Sequence, residues 1–141
     1  MKKIQVVEAA AAKRADSEKI TINVGYVDLG HIDLLVAEGF YSNRTDLIRT
    51  AVRNLLQTHT VELKQVVARR TLVLGLQHFG AADLHKLKAA RQSLQIRVLG
   101  LASIGADVTP ELALATIDSI EVLGALHASP AVKAALASRI R

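Results

Sequence analysis

The chain has no cysteine and no tryptophan, and its 141 residues include only two prolines, two tyrosines and two phenylalanines. Without cysteine there is no disulfide framework, no thiol nucleophile and no thiolate metal site. Tyr26, Phe40, Tyr41 and Phe79 are too few to build a stacking platform for single-stranded nucleic acid. No apolar run approaches the roughly 18–20 residues that span a bilayer. No signal-like apolar region opens the chain, so the expected location is cytoplasmic. Gly-rich phosphate loops, nucleophile elbows and paired-carboxylate motifs are also missing, so neither catalysis nor a cofactor is expected.

What is present is hydrophobic and basic. Half of the residues are hydrophobic, enough for a core, and the length suits one domain or two small ones. The net charge is +5 and the pI is about 9.8, which suggests a polyanionic partner. The charge is unevenly spread. Lys2, Lys3, Lys13 and Arg14 make a basic N-terminal tail over residues 1–18. Residues 15–60 carry Lys19, Arg44, Arg49 and Arg53 against Asp16, Glu18, Asp28, Asp33, Glu38 and Asp46, so this stretch is acidic on balance. Most of the basic excess lies in 61–95.

Residues 19–24 read Lys-Ile-Thr-Ile-Asn-Val, with apolar residues at every second position. In a strand Ile20, Ile22 and Val24 share one face, and Lys19, Thr21 and Asn23 share the other. A lone strand leaves its backbone groups unpaired, and even a single hairpin is marginal in water. Antiparallel pairing with the same strand of a second copy solves this and makes a homodimer. The resulting two-stranded ribbon fits the major groove of double-stranded DNA. There lysine can donate to guanine, asparagine can pair with adenine, and threonine can serve several bases. The same alternation also suits an ordinary edge strand with a solvated polar face.

Two amphipathic helices follow. The first is expected over 28–38, with Leu29, Ile32, Leu35 and Val36 as its apolar stripe and Gly39 as a left-handed cap. The second opens at Ser42 as N-cap, with Asp46 in its first turn and Leu47, Ile48, Ala51, Val52, Leu55 and Leu56 on its buried face. A helix start with free amides binds anions, and Asn43 and Arg44 beside it suit a phosphate clamp as well as they suit capping.

Residues 19–56 resemble the ribbon-helix-helix superfamily of Arc, MetJ and CopG-type DNA-binding proteins. The resemblance rests on the alternating strand, the Glu38-Gly39-Phe40-Tyr41 turn, and the run from Ser42 to Arg49 that opens the second helix. It implies an obligate, intertwined dimer whose ribbon enters the major groove. By the same resemblance Lys19, Thr21 and Asn23 contact bases, and Ser42, Asn43 and Arg44 hold the DNA backbone. Where the family often has proline between strand and helix, this chain has Gly25-Tyr26.

The second half repeats. Val73-Leu74-Gly75, Val98-Leu99-Gly100 and Val122-Leu123-Gly124 recur at intervals of 25 and 24 residues. Regular self-similarity of this kind signals stacked supersecondary units. Each copy has a short apolar strand (71–76, 96–101, 120–126), a small-residue turn and an Ala/Leu-rich helix (81–92, 110–118, 130–139). Thr109-Pro110 and Ser129-Pro130 mark two of the helix starts. Strand, helix, strand at this spacing implies right-handed parallel crossovers. The expected fold class is therefore α+β: a ribbon-helix-helix domain over 19–57, a helical connector over 58–70, and a β/α solenoid-like repeat domain over 71–141. The open strand edges of that domain suit higher oligomerisation or a protein partner.

His78 and His127 occupy the same position in the first and third copies, where the middle copy has Ser103. With rungs about 4.8 Å apart the two histidines stand about 10 Å from each other, too far to share an ion. No metal site is expected. The functions left open are a dimeric sequence-specific transcriptional regulator (a repressor), an antitoxin whose second half captures a toxin, and a scaffold that assembles through the repeats.

Overall fold

A computed structural model describes residues 17–141 of the protein. The four cations of the expected basic tail, Lys2, Lys3, Lys13 and Arg14, lie outside the described residues. The described chain divides into two compact units, Ser17–Val66 and Val67–Arg141.

In the first unit, residues 17–25 carry no regular secondary structure, so the segment expected to pair with a second copy is unpaired in the single chain. Helix α1 (Tyr26–Ala37) starts two residues before the expected position, with Gly25 at its N-cap. It closes with two backbone bonds, Phe40 N–H to the Leu35 carbonyl (3.0 Å) and Gly39 N–H to the Val36 carbonyl (3.1 Å). This closure needs a left-handed residue, and Gly39 takes φ +83 at little steric cost. Helix α2 (Arg44–Thr58) follows the turn, and α3 (Thr60–Arg70) is separated from it by His59. None of the three helices contains a buried residue.

The second unit has a core. Strands β1 (Val73–Phe79), β2 (Leu94–Ile104) and β3 (Ile117–His127) form a parallel sheet in that order. They alternate with helices α4 (Ala81–Ala89), α5 (Pro110–Thr116) and α6 (Pro130–Ala135), and a 3₁₀ turn, Ala137–Arg139, follows. Strand pairing carries β2 and β3 past both ends of the expected 96–101 and 120–126, whereas β1 starts two residues after the expected 71, where Thr71 turns left-handed, and runs three residues past 76. The helices are correspondingly shorter than expected. Arg91 turns left-handed (φ 53) and closes α4, while Ile117 is already extended and leads into β3. Thr109 and Ser129 cap α5 and α6 by accepting from Leu112 N–H and Val132 N–H, both at 3.2 Å, with Pro110 and Pro130 next in line.

Alternate residues of β2 (Ile96, Val98, Ala102, Ile104) are buried in one cluster with Leu84, Leu112, Ala113, Val132 and Leu136 from the helical layer. The intervening residues face the other way, where Leu74 and Leu76 stay largely exposed. The Val-Leu-Gly triplets stand side by side: Gly75 pairs with Gly100, and Gly100 with Gly124. All three glycines have φ between 116 and 138. A Cβ on Gly100 would collide with the Gly75 carbonyl, and one on Gly124 with the Gly100 carbonyl. At Gly100 and Gly124 glycine is therefore a requirement of close strand approach as well as of backbone angle, and at Gly75 of backbone angle alone.

Candidate nucleic-acid interface

The extended segment 17–24 runs beside one stripe of α2. Together Glu18, Lys19, Ile20, Ile22, Thr45, Ile48, Arg49, Val52 and Arg53 border an open groove of about 790 Å³. The α2 residues of this groove recur at helical spacing, which explains why they share a face. Ile20 and Ile22 border it yet remain 79% and 61% exposed, so this apolar surface is only partly covered within one chain. Arg49 and Arg53, which sequence reasoning passed over, bring two further cations alongside Lys19. Their four-residue spacing on the helix was the available signal.

The start of α2 differs from expectation in one respect. Its N-cap is Asn43, not Ser42. Asn43 is extended (φ −165, ψ 175), and its side-chain oxygen accepts from Asp46 N–H at 2.8 Å. Asp46 reaches back to accept from Ser42 N–H at 3.0 Å. The pair ties the turn to the helix from both sides, a reciprocal arrangement like a capping box moved one residue upstream. Ser42 and Asn43 thus both stand at the helix start, one through its backbone and the other through its side chain.

Arg44, the third residue expected to hold phosphate, is engaged elsewhere in the chain. Its Nε donates to Asp33 Oδ1 at 2.7 Å and its Nη2 donates to Asp33 Oδ2 at 2.8 Å. Hydrogen bonding from Arg44 holds the Asp33 carboxyl below its usual range, and the same bonds raise the Arg44 guanidinium. Both side chains remain about half exposed, so the guanidinium is oriented without being hidden. Asp33 lies eleven residues upstream on α1, and nothing in the spacing marked it as a partner.

The expected base-reading residues Lys19, Thr21 and Asn23 are all exposed. Among the described residues no group of three or more His, Cys, Asp or Glu side chains is placed to hold a metal ion. His78, Ser103 and His127 align across the sheet, and His78 Nδ1 lies 2.7 Å from Ser103 Oγ.

A family model, the ribbon-helix-helix transcriptional regulator family, matches residues 15–133. The chain belongs to this family. The match continues well beyond the helices, so the parallel sheet lies within the same ribbon-helix-helix regulator pattern and is not an unrelated appendage. Membership places the chain among transcriptional regulators. No curated protein and no solved structure matches it. Among the described residues no helix is long and apolar enough to cross a membrane.

Proposed function

We propose that this ribbon-helix-helix regulator is a dimeric, sequence-specific repressor that reads the major groove with a β-ribbon built from residues 19–24 of two copies. One observation carries the reading: the 17–66 unit has helices but no buried residue, and Ile20, Ile22, Leu34, Val52 and Leu55 are more than half or about half exposed. Apolar surface of this extent, contributed by alternating and helical patterns that agree with each other, calls for a second copy to complete a core. Pairing of the two 19–24 segments satisfies their backbone groups and leaves Lys19, Thr21 and Asn23 on one polar face, suited to base edges. Ser42, Asn43 and Arg44 at the start of α2 serve as backbone anchors.

The 71–141 repeats, read as a three-rung β/α solenoid, set higher assembly. Supporting this, Leu74, Leu76 and Leu123 are 72%, 68% and 44% exposed on the sheet face opposite the helices. A row of leucines there suits sheet-to-sheet packing of a second copy. Such assembly would also offset the acidic balance of residues 15–60, since several weak dimers bound side by side gain avidity.

A duplex-selection assay on the full chain at two salt concentrations tests the reading. Asn23→Ala should change the preferred sequence. Arg44→Ala should weaken binding to all sequences alike and lower the salt slope by about one unit. Duplex binding that is indifferent to changes at Lys19, Thr21 and Asn23 would refute it.

A further inference from the structure

The second unit contains a basic pocket of about 500 Å³ that regulator function, as read above, does not use. It is lined by Arg69, Arg70, Arg97, Arg141 and Glu121, with Val122 and Leu123 as an apolar wall. Four arginine side chains therefore line the pocket with Glu121 as its one acidic side chain. Glu121 is the least exposed of the charged groups that pair there, and it is already occupied. Arg70 Nη2 donates to its Oε1, and Arg97 Nε lies 3.9 Å from its Oε2. Arg97 is further fixed by donating from Nη1 to Thr71 Oγ1 at 2.8 Å and to the Arg70 carbonyl at 3.3 Å. It thereby places a cation at the C-terminal end of α3, a favourable position for positive charge.

The remaining two cations are unaccounted for. Among the described residues neither Arg69 nor Arg141 pairs with an Asp or Glu side chain. Arg141 is nevertheless held beside β3, because its backbone N–H donates to the Ile120 carbonyl at 2.9 Å. Thr71, beside the pocket, helps to hold Arg70 and Arg97. Thr71 closes α3 in a left-handed conformation (φ 53), uncommon for a β-branched residue, and its hydroxyl donates to the Arg70 carbonyl at 2.7 Å. The result is a concave surface with surplus guanidinium charge, held in place by Glu121 and Thr71.

We infer that this pocket binds a small phosphate-bearing anion, with Arg69 and Arg141 as its ligands and the Arg70–Glu121–Arg97 network as the frame that positions them. Guanidinium forks match phosphate oxygens in pairs, which ammonium groups do not. The volume lies in the range of roughly 300–1,000 Å³ typical of small-molecule sites. Val122 and Leu123 offer a surface for the organic part of a phosphate ester, giving the regulator a place for an effector.

Thermal melting of the full chain with inorganic pyrophosphate, with adenosine diphosphate, and with sodium chloride at matched ionic strength tests the inference. Either phosphate should raise the melting temperature saturably, and sodium chloride should not. Arg69→Gln and Arg141→Gln should each weaken the apparent affinity by about tenfold, while Lys88→Gln on α4 leaves it unchanged. Tighter binding of adenosine diphosphate identifies an organic ester as the ligand, and tighter binding of pyrophosphate identifies the inorganic anion. A response that does not saturate, or that survives in both arginine variants, overturns the proposal. So does displacement of pyrophosphate by non-specific duplex together with equal loss of duplex affinity in both variants, which would make the pocket a DNA-backbone contact.

Discussion

Arg44, on the first turn of α2, is held by Asp33 of α1 through two parallel hydrogen bonds of 2.7 and 2.8 Å. The proposed phosphate anchor is thus oriented by a carboxylate that also competes with phosphate for it. Neutralising that competitor while keeping its shape should favour DNA. Asp33→Asn is expected to raise duplex affinity and steepen the salt dependence by about one unit, close to one additional phosphate neutralised. Salt titrations of wild type and variant measure this. Weaker binding by Asp33→Asn would instead mean that orienting Arg44 matters more than freeing it.

The same pair has a pH signature. Hydrogen bonding from Arg44 lowers the Asp33 carboxyl from its ordinary 3.8. A group lowered in the folded state contributes stability above its unfolded value and loses it as pH falls through the folded one. The stability difference between wild type and Asp33→Asn should therefore be level from neutrality down to about 3.8. It should shrink below that. Urea unfolding across acidic pH checks the sign.

Capping and DNA contact can be separated at Asn43. Aspartate caps a helix as well as asparagine does, so Asn43→Asp should leave thermal stability within about 0.5 kcal/mol of wild type. A new negative charge facing phosphates should lower duplex affinity by about tenfold or more. Equal affinity in the two proteins would remove Asn43 from the interface.

The glycine ladder makes a graded prediction. Gly100→Ala and Gly124→Ala each place a Cβ against the carbonyl of the preceding glycine. Gly75, on the edge strand, has open space there and only its φ of +116 to penalise a side chain. Losses of about 3–5 kcal/mol are expected at the first two positions and about 1–2 kcal/mol at Gly75. Denaturant unfolding of the three variants would show the order, and similar losses at all three would argue against the collision.

Arg91 points the other way. It is exposed and left-handed at φ 53, in the closing turn of α4 where Gln92 N–H reaches the Leu87 carbonyl at 2.9 Å. Glycine suits that conformation better. After its own entropy cost, Arg91→Gly should stabilise the protein by about 0.5–1 kcal/mol, read as a higher urea midpoint.

Local patterns were legible without any structure. The Gly39 cap, the Thr109-Pro110 and Ser129-Pro130 helix starts and the aligned Val-Leu-Gly triplets each follow from a residue's own backbone preference or from a repeat interval. Such preferences act within a few residues, and sequence displays them directly. Helix and strand ends were less legible, because Arg91 and Thr71 take left-handed angles that favour glycine. Choosing Asn43 over Ser42 as cap depended on which of two adjacent good caps fell in line with Asp46. Distance in the chain concealed the rest. The Asp33–Arg44 pair, the groove that brings Arg49 and Arg53 beside Lys19, and the arginine pocket around Glu121 join residues from separate elements. The sequence by itself determined which segments after residue 25 are strand or helix, and that glycine recurs in register across the sheet. Only tertiary structure decided which charges meet, because those distances depend on how helices and strands pack.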